Sequence, residues 1–372
     1  MTGPASRPTA ELSLHGARIL IGAPLATVGM EAIRSAAHGA RVAIVSDTNV
    51  GPSHAAKLAR KLGVPDADCF QIPAGEVNKN RIEWTRLTNA MLNGGFGRDS
   101  VIVAVGGGVV GDLAGFAAAT FMRGIPVIQV PTSLLAMIDA AVGGKTGVDT
   151  PAGKNLVGAF HHPVLVVADP AVLGTLPPRE LRNGMAEALK HAIITSRAEL
   201  DWLLANAPAM LRADGPVQAV AAELVERNIR IKAGVVARDE RESGVRKTLN
   251  FGHTIGHAIE VVSEFQLLHG ECIALGMRVE AMIAGALGLA PASLAADVTA
   301  AVRALELPTQ PTMPTTADAV IAATRLDKKA RGGVVEYALA CDVGRMATAE
   351  SSFGTPVGDD VVRAAIEAAF RD

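Results

Sequence analysis

The stretch 101-VIVAVGGGVVGDLAGF-116 constrains the fold of this chain more than any other feature. Val101–Val105 are small or β-branched, which is typical of a buried strand, and a helix-compatible apolar pattern resumes at Leu113. The turn between them reads as a G-x-G-x-x-G pattern formed by Gly106, Gly108 and Gly111. Such a turn lets backbone approach a diphosphate. The dinucleotide fingerprint also asks for an acid about 20 positions later; here that region reads IPVIQVPTS, so a simple packing bend stays an alternative.

The same order of a strand followed by a helix repeats through the first half of the chain. Short β-branched runs predict strands at Arg41–Ser46, Ser100–Val105, Val127–Val130 and Val164–Ala168. Amphipathic patterns predict helices at His54–Leu62, Arg81–Asn93 and Leu113–Phe121. Strands alternating with helices indicate a parallel sheet covered on both faces. Ligands bind such sheets at the carboxyl ends of the strands, where the glycine turn and the segment 46–49 would both lie.

Beyond Pro177 and Pro178 the pattern becomes helical. Helical periodicity covers Glu180–Ile194, Ala198–Ala205, Pro216–Val236, Thr248–Glu264, Glu271–Leu287 and Ala292–Leu305, and one short hairpin is predicted within 334–346. We therefore predict an α/β domain over residues 1–176, with residues 1–11 frayed, and a mainly helical domain over residues 177–372.

Composition narrows the class of function. The 372 residues contain 35 Lys plus Arg and 37 Asp plus Glu, so no global field attracts nucleic acid or a membrane surface. No signal peptide and no apolar run of about 18 residues is present, which predicts a cytoplasmic protein. Cys69, Cys272 and Cys341 are far apart in sequence, which offers neither a disulfide framework nor a thiolate zinc site.

Histidines of the helical half suggest a metal site. In 249-LNFGHTIGHAIE-260, His253 and His257 stand at i and i+4, so their rings share one helix face. His269 follows beyond a turn, and Glu187 lies on another predicted helix. Two imidazoles, one carboxylate and a vacant position are typical of a catalytic zinc site. Spacing leaves open which two of these histidines, or His191, would join Glu187.

Several cations lie beside glycine, asparagine or small apolar residues rather than on an ordinary polar helix face. They are Lys145, Lys154, Lys190, Lys232, Arg246 and Lys328. Lys145 and Lys154 flank a glycine-rich stretch that follows Asp139. Lysines held close to backbone suit a substrate that carries phosphate and carboxylate groups. The residues thus predict redox chemistry by a dinucleotide, beside a metal, on a small polyanion.

Together these motifs resemble the 3-dehydroquinate synthase family. The resemblance runs from about Val42 to Lys329, in order and with consistent spacing. It is carried by GGGVVGDLAGFAAATFMRG, VPTSLLAMIDAAVGGKTGVDTPAGKNLVGAF, GMAEALKHA, VVARDERESGVRKTLNFGHTIGHAIE, LLHGECIALGM and DKK. Ser133 stands where the family more often has threonine, and the tail after Gly344 carries no family motif.

The resemblance implies a Rossmann-like domain, a helical domain and an active site in the cleft between them. It implies NAD contacts at Asp47, Asn49, Glu76, Lys79, Gly107, Gly108, Asp112, Thr132, Ser133, Leu135 and Thr175. Asp47, near the adenosine ribose, would replace the acid missing after the glycine turn. Zinc, or Co2+ in its place, would be held by Glu187, His253 and His269.

The resemblance also implies the remaining roles. Asp139 and Lys190 would contact the reacting hydroxyls, Lys145, Lys232, Arg246 and Asn250 the carboxylate end, and Asn155, His257 and Lys328 the phosphate; Lys154 would also bind substrate. Arg123 would reach across a homodimer. The implied lyase reaction on 3-deoxy-D-arabino-heptulosonate 7-phosphate combines transient oxidation by NAD, phosphate elimination, re-reduction and an aldol closure.

Four other interpretations are compatible with parts of this pattern. Sister sugar-phosphate cyclases use substrates without a carboxylate, and Lys232, Arg246 and Asn250 argue against them. A paralogue acting on an amino analogue in secondary metabolism stays open. A metal- and NAD-dependent polyol dehydrogenase would give the matched cations no role, and a non-catalytic NAD sensor would not need the intact triad of candidate ligands.

Overall fold

The computed structural model describes residues 8–151, 153–325, 335–348 and 353–371. The chain divides into two compact units. The first comprises Met1–Leu176 with Gln218–Ala233, and the second comprises Pro177–Val217 with Gly234–Asp372. The sequence had assigned residues 218–233 to the helical half, whereas the structure groups them with the first unit.

The first unit is built on a sheet whose strands are mostly parallel. Within the described residues this sheet has seven strands in the order β1-β2-β9-β6-β5-β3-β4. Only the β1–β2 pairing is antiparallel. The strands of the sheet are β1 (Ala10–Leu14), β2 (Ala17–Ile21), β3 (Arg41–Asp47), β4 (Cys69–Ile72), β5 (Ser100–Gly106), β6 (Val127–Pro131) and β9 (Leu165–Ala168). The antiparallel hairpin β7 (Lys145–Thr150) and β8 (Gly153–Phe160) forms a separate sheet.

Both faces of the sheet are covered, which explains why β5, an interior strand between β6 and β3, is buried along its whole length. Apolar side chains of β5 alternate between two cores. One core includes Leu87 and Leu113, and the other includes Ile33 and Leu58. The helices that supply them are α1 (Val28–Ala37), α2 (Ala56–Leu62), α3 (Arg81–Asn93) and α4 (Gly108–Thr120).

The predicted α/β class is confirmed, and the four predicted strands are present. The sequence missed β1, β2, β4 and the β7–β8 hairpin. Ala10 and Glu11, expected to be frayed, already pair with β2. The glycine-rich stretch that was expected to be a loop begins with a turn but continues into β7 and β8. Glycines at positions 147 and 158 allow the two backbones to approach closely. These glycines interrupt the alternation of apolar and polar residues by which a strand is identified from sequence.

The second unit is mainly helical, as predicted. Its helices are α5 (Pro178–Thr195), α6 (Arg197–Met210), α8 (His253–Val262), α9 (His269–Ala286), α10 (Ala292–Ala304), α11 (Ala317–Thr324) and α12 (Asp359–Ala369), while α7 (Gln218–Arg238) runs through both groupings. Short strands β10 (Glu336–Tyr337) and β13 (Thr355–Pro356) pair with each other, and β11 (Ala340–Asp342) pairs with β12 (Arg345–Met346). The last pair is the predicted hairpin.

Helix α8 begins later than the sequence predicted. Its N-cap, Gly252, has a φ of +81°, which an L side chain rarely adopts, and Val245–Asn250 form a 3₁₀ turn before it. His253 is therefore the first residue of α8, just as His269 is the first residue of α9. Among the described residues, the helices include none with the length and apolar character needed to cross a membrane.

Candidate functional site

In the first unit, polar and glycine residues follow neighbouring parallel strands. Asp47 ends β3, and its Oδ1 accepts hydrogen bonds from the backbone N–H groups of Asn49 (2.9 Å) and Val50 (2.8 Å). Gly107 follows β5, and Thr132 follows β6. The chain visits β4 on one side of β3 and then crosses to β5 on the other side. This reversal creates the crevice in which doubly wound sheets bind ligands.

The glycines of the turn have two different physical reasons to be glycine. A Cβ at Gly106 would lie 2.6 Å from the Cβ of Val110, so packing excludes a larger residue there. A Cβ at Gly111 would lie 3.0 Å from the Gln129 Oε1, so the Gln129 side chain would have to shift. At Gly107 and Gly108 the nearest atoms to a Cβ would be 3.5 Å and 3.4 Å away, which is an ordinary contact. Gly107 also has an ordinary φ of −75°. Neither packing nor conformation therefore requires glycine at 107, whereas approach of a ligand to the start of α4 would.

The other residues predicted to contact NAD lie near the same strand ends. The Thr132 N–H donates to the Gly106 carbonyl oxygen at 2.9 Å, and the Ser133 hydroxyl accepts from the Ala136 N–H at 3.2 Å. Leu135 is half-buried at the start of the π-helical turn Ala136–Ala140. Thr175 lies after β9, with its Oγ1 at 2.9 Å from His54 Nε2.

A partly buried cluster of opposite charges contains three more of these predicted residues. Lys79 Nζ lies 3.0 Å from Glu76 Oε1 and 3.2 Å from Asp112 Oδ2, and Lys154 Nζ lies 2.8 Å from Glu76 Oε1. Although burial opposes ionisation of Glu76, the charges of Lys79 and Lys154 prevail and lower the pKa of Glu76 to about 2. Burial likewise opposes protonation of Lys79, but three nearby carboxylates, including that of Asp149, raise its pKa. Burial raises the pKa of Asp112 despite the offsetting charge of Lys79.

Another ion pair of the first unit joins residues far apart in sequence. Lys232 Nζ lies 2.7 Å from Asp139 Oδ1 and donates to the Asp139 carbonyl oxygen at 2.5 Å. Both residues were predicted to contact substrate. Lys145 is exposed at the start of β7, and Asn155 is exposed with a left-handed φ of +51°. Arg123 is exposed and has a φ of +69° in the turn that follows α4.

The second unit brings together the three predicted metal ligands. Glu187 is fully buried on α5, and its Oε1 lies 3.4 Å from His253 Nε2 and 3.4 Å from His269 Nε2. One ligand atom from each residue lies within 4.8 Å of the other two. These are hard and borderline donors of the kind that Zn2+ and Co2+ prefer, and a fully buried carboxylate between two imidazoles fits a divalent cation. The local chemistry therefore matches the ligand set that the sequence suggested.

The far sides of both imidazole rings meet hydrogen-bond acceptors. His269 Nδ1 lies 3.1 Å from Glu260 Oε1, and His253 Nδ1 lies 3.2 Å from the Phe251 carbonyl oxygen. Each ring would then carry its proton on Nδ1 and present Nε2 to Glu187. Burial of His269 opposes its protonation, but Glu260 and Glu187 prevail and raise the pKa of the imidazole to about 9.

The sequence alternatives for the ligand set remain visible. Among the described residues of the second unit, His257, Glu260 and His269 also offer ligand atoms within 4.8 Å of one another. The ring of His257 lies 5.2 Å from that of His253 and 5.9 Å from that of His269, centroid to centroid. His191 is fully buried on α5, one turn after Glu187. Sequence reasoning had overlooked Glu260, although it shares a helix face with His253 and His257.

Three other predicted residues of the second unit are close to backbone or carboxylates. Lys190 is buried and its ammonium contacts the Glu187 carboxylate. Arg246 is buried in a loop that Asp239 organises by accepting the N–H groups of Gly244 (2.7 Å) and Arg246 (3.0 Å). Asn250 Nδ2 donates to Glu242 Oε1 at 2.5 Å. Lys328, predicted to contact phosphate, lies outside the residues that the structure describes.

Comparison with known proteins gives these clusters a family context. A family model described as 3-dehydroquinate synthase N-terminal matches residues 69–183, and one described as 3-dehydroquinate synthase C-terminal matches residues 184–330. A 3-dehydroquinate synthase from Symbiobacterium thermophilum is 43% identical over 361 residues, which cover 95% of this chain and 98% of that relative.

Solved structures similar to the chain include two sugar-phosphate cyclases. A 2-deoxy-scyllo-inosose synthase, complexed with carbaglucose-6-phosphate, NAD+ and Co2+, is 27% identical with a TM-score of 0.85, covering 96% of this chain and 100% of that chain. A 2-epi-5-epi-valiolone synthase from Streptomyces hygroscopicus, with NAD+ and Zn2+ bound, is 28% identical with a TM-score of 0.83, covering 99% of this chain and 100% of that chain.

Proposed function

This chain belongs to the family of 3-dehydroquinate synthases, and we propose that it converts 3-deoxy-D-arabino-heptulosonate 7-phosphate to 3-dehydroquinate and phosphate. Beyond the family match, one observation carries this proposal. Glu187 is fully buried with its Oε1 at 3.4 Å from the Nε2 atoms of both His253 and His269. One carboxylate and two imidazoles are a donor set that can bind a catalytic divalent metal, which the proposed reaction of the shikimate pathway would need.

We assign NAD to the first unit and the metal to the second. Bound NAD would supply reversible hydride transfer, so the cofactor ends as it began and the reaction is a lyase reaction. A bound divalent metal, Zn2+ or Co2+, would supply Lewis acidity. The solved structures of the two related cyclases, which contain NAD+ with Co2+ or Zn2+, support both assignments.

For the first unit we propose that the strand ends bind the dinucleotide. The Asp47 carboxylate would accept a ribose hydroxyl, while the N–H groups at the start of α4 would face the pyrophosphate. The hydrogen bonds that Asp47 Oδ1 accepts from Asn49 and Val50 hold this side chain in place. A carboxylate has further lone pairs, which could accept the ribose hydroxyl. Glu76, Lys79 and Asp112 lie in the charge cluster, which would fix the orientation of groups nearer the nicotinamide.

For the second unit we propose that side chains handle the anionic substrate. Lys190 would donate a hydrogen bond to the reacting hydroxyl. Its ammonium contacts the carboxylate of Glu187, a proposed metal ligand, so it lies beside the proposed metal site. Arg246 and Asn250 would hold the substrate carboxylate, and His257 its phosphate. A buried guanidinium gives a planar, two-pronged contact to a carboxylate. In the first unit, Asp139 would accept a proton or hydrogen bond from a hydroxyl, with Lys232 holding its charge in place.

We further propose that the enzyme is a homodimer in which Arg123 serves the partner's substrate. Arg123 is exposed, and it stands in the left-handed turn that includes Met122, which leaves it accessible to a neighbouring subunit. The related cyclases and an enzyme for an amino analogue of the substrate form the alternative. They are distinguished by the substrate, because the fold and the metal donors would be shared.

The test is phosphate release by the purified protein with NAD and Zn2+. 3-Deoxy-D-arabino-heptulosonate 7-phosphate, its amino analogue and sedoheptulose 7-phosphate are compared, with products identified by mass. We expect release with the first substrate, formation of 3-dehydroquinate, and no net NADH. Release with only another sugar phosphate would assign the protein to a sister activity, and net NADH formed from an alcohol would indicate a polyol dehydrogenase.

A further inference from the structure

Another buried carboxylate, that of Glu280, contacts the start of the helix that begins with His253. Glu280 is fully buried on α9, about three turns after His269. Its Oε2 accepts the Gly252 N–H at 2.7 Å, and its Oε1 accepts the Ile255 N–H at 3.3 Å. These are N–H groups at the start of α8, which a cap residue of the same helix would normally satisfy. Because the N-cap here is glycine, a carboxylate from the neighbouring helix does that work.

Glycines allow α9 to bring this carboxylate so close. A Cβ at Gly276 would lie 2.8 Å from the Gly256 backbone nitrogen, and a Cβ at Gly252 would lie 3.0 Å from the Ile273 carbonyl oxygen. Neither position has room for a side chain, so α8 and α9 touch through their backbones. A negative charge at the start of a helix is also favoured by the helix dipole.

The peptide that Glu280 holds is the one that holds His253. The N–H of the Phe251–Gly252 peptide donates to Glu280, and the carbonyl oxygen of the same peptide faces His253 Nδ1 at 3.2 Å. A trans peptide is planar, and its N–H and C=O point in opposite directions. Fixing the N–H toward Glu280 therefore fixes the carbonyl toward the imidazole. That contact selects the Nδ1–H tautomer and leaves Nε2 facing Glu187.

The two imidazoles are thus supported in different ways. His269 contacts a carboxylate of α8 directly, because its Nδ1 lies 3.1 Å from Glu260 Oε1. His253 contacts a carboxylate of α9 only through one peptide unit. Each helix begins with an imidazole whose orientation depends on a carboxylate from the other helix.

We propose that Glu280 is a positioning residue for the metal centre, acting on His253 through the Phe251–Gly252 peptide. The inference rests on the proposed metal-dependent function, since it concerns how one of its ligands is oriented. Glu280 touches neither substrate nor metal in this role. Its removal should weaken metal binding in the full-length protein even when no substrate or NAD is present.

The test is a Co2+ titration of the metal-depleted protein, followed by the visible absorption of bound Co2+. Glu280→Gln keeps the shape but replaces one of the two acceptor oxygens with an NH2 group, which donates hydrogen bonds and cannot accept one from a backbone N–H. We expect its Kd for Co2+ to rise by about 10- to 100-fold, as for other residues that orient metal ligands. Glu280→Asp should fall between Glu280→Gln and the wild type.

Arg278→Met is the matched control. Arg278 is also fully buried on α9, and it donates hydrogen bonds to the Thr299 hydroxyl, to the Thr309 carbonyl oxygen and to the Ala369 carbonyl oxygen at the end of α12. The Arg278→Met substitution therefore changes α9 at its contacts with Thr299 and the end of α12, whereas the Glu280 substitutions change its contact with the start of α8. We expect its Kd for Co2+ to stay within about threefold of the wild type, well below the 10- to 100-fold change typical of residues that orient metal ligands.

The outcomes separate the inference from the proposed function. A wild-type protein that binds no Co2+ would contradict the metal-dependent function itself. Wild-type binding with an unchanged Kd in folded Glu280→Gln would overturn the role of Glu280 while leaving the metal site standing, and so would an equal loss of affinity in Arg278→Met. If Glu280→Gln does not fold, nitrogen-15 spectra of the wild-type metal-free protein decide: His253 protonated on Nε2 rather than Nδ1 would overturn the inference.

Discussion

The two units present their candidate site residues in opposite ways. The first unit places single residues after several parallel strands, and backbone N–H groups at the start of α4 are part of what it offers. The second unit places side chains at the first residues of α8 and α9, opposite a fully buried carboxylate on α5. One site is spread over many loops, and the other depends on a few side chains.

This difference teaches where each unit is vulnerable. A ligand held by many backbone groups loses only part of its binding when one contact is removed. A metal held by three side chains loses its charge balance when the carboxylate is removed, because Glu187 contacts both rings and Lys190. Substitutions in the second unit should therefore have the larger effects on activity. In the first unit, some substitutions should weaken NAD binding and others should lower the free energy of unfolding.

The largest effect is expected for Glu187→Ala. Loss of the only carboxylate in the ligand triad should abolish stoichiometric metal and lower turnover by about 1,000-fold or more, since Lewis-acid stabilisation amounts to several kcal/mol. Because we propose that NAD binds to the first unit, the affinity for NAD should be nearly unchanged. Elemental analysis, phosphate release and calorimetric NAD titration measure the three quantities, with exposed Asp201→Ala on α6 as the control. Full zinc stoichiometry in Glu187→Ala would refute the ligand assignment.

A smaller loss is expected for Arg246→Ala. The variant removes a buried guanidinium proposed to bind the substrate carboxylate, so kcat/KM should fall by about 100-fold, as for a charge-assisted hydrogen bond pair. Metal content should not change. Exposed Arg238→Ala, at the end of α7, provides a matched loss of an arginine. An unaltered kcat/KM for the carboxylate-bearing substrate would remove the main argument against a sister cyclase.

Two adjacent glycines sharpen the comparison within the first unit. Gly106→Ala should lower the free energy of unfolding by about 1–3 kcal/mol, because its Cβ would overlap Val110. Gly107→Ala should change it by less than about 0.5 kcal/mol, yet raise the Kd for NAD by about 10-fold, which corresponds to 1.4 kcal/mol. Urea unfolding and NAD titration of both variants measure these effects. A destabilised Gly107→Ala with normal NAD affinity would mean that this glycine serves packing.

The smallest effect is expected for Glu76→Gln in the charge cluster. Because folding lowers the pKa of Glu76 from 4.5 to about 2, its ionisation contributes stability above pH 4.5 that is lost as the pH falls through about 2. The side chain is 26% exposed, so we expect a loss of only about 1–2 kcal/mol at pH 7, shrinking toward zero near pH 2. Urea unfolding against pH measures it, with the surface residue Glu223 changed to glutamine as the control. A difference that does not depend on pH would exclude the ion pairs as its cause.

Much of the fold could be predicted from local patterns. Apolar β-branched runs identify β3, β5, β6 and β9, and helical periodicity identifies most of α5 to α10, because each pattern records which face of an element is buried. The hairpin of β7 and β8 escaped, since its alternation is interrupted by glycines. The first strands escaped as well, although AELSL alternates, because they follow a leader without structure signals.

The candidate site divides along the same line. Spacing alone placed His253, His257, His269 and Glu187 in one group of candidate ligands, and motif resemblance chose among them. Residue identities and sequence order thus determined the fold class, the family and the chemistry that the side chains can perform. These depend on local periodicity and on residue type, which the sequence contains in full.

Only the tertiary structure decided which atoms meet. It showed that Gly106 is needed for packing while Gly107 is not, that Glu76, Lys79 and Lys154 form one charge cluster, and that His253 Nε2 faces Glu187. It also revealed two carboxylates that each contact the start of the neighbouring helix. Glu260 of α8 contacts His269, the first residue of α9, and Glu280 of α9 accepts the N–H of Gly252, which precedes His253, the first residue of α8. Such contacts join residues many positions apart across packed helices, and their distances depend on the packing of whole elements rather than on any local pattern.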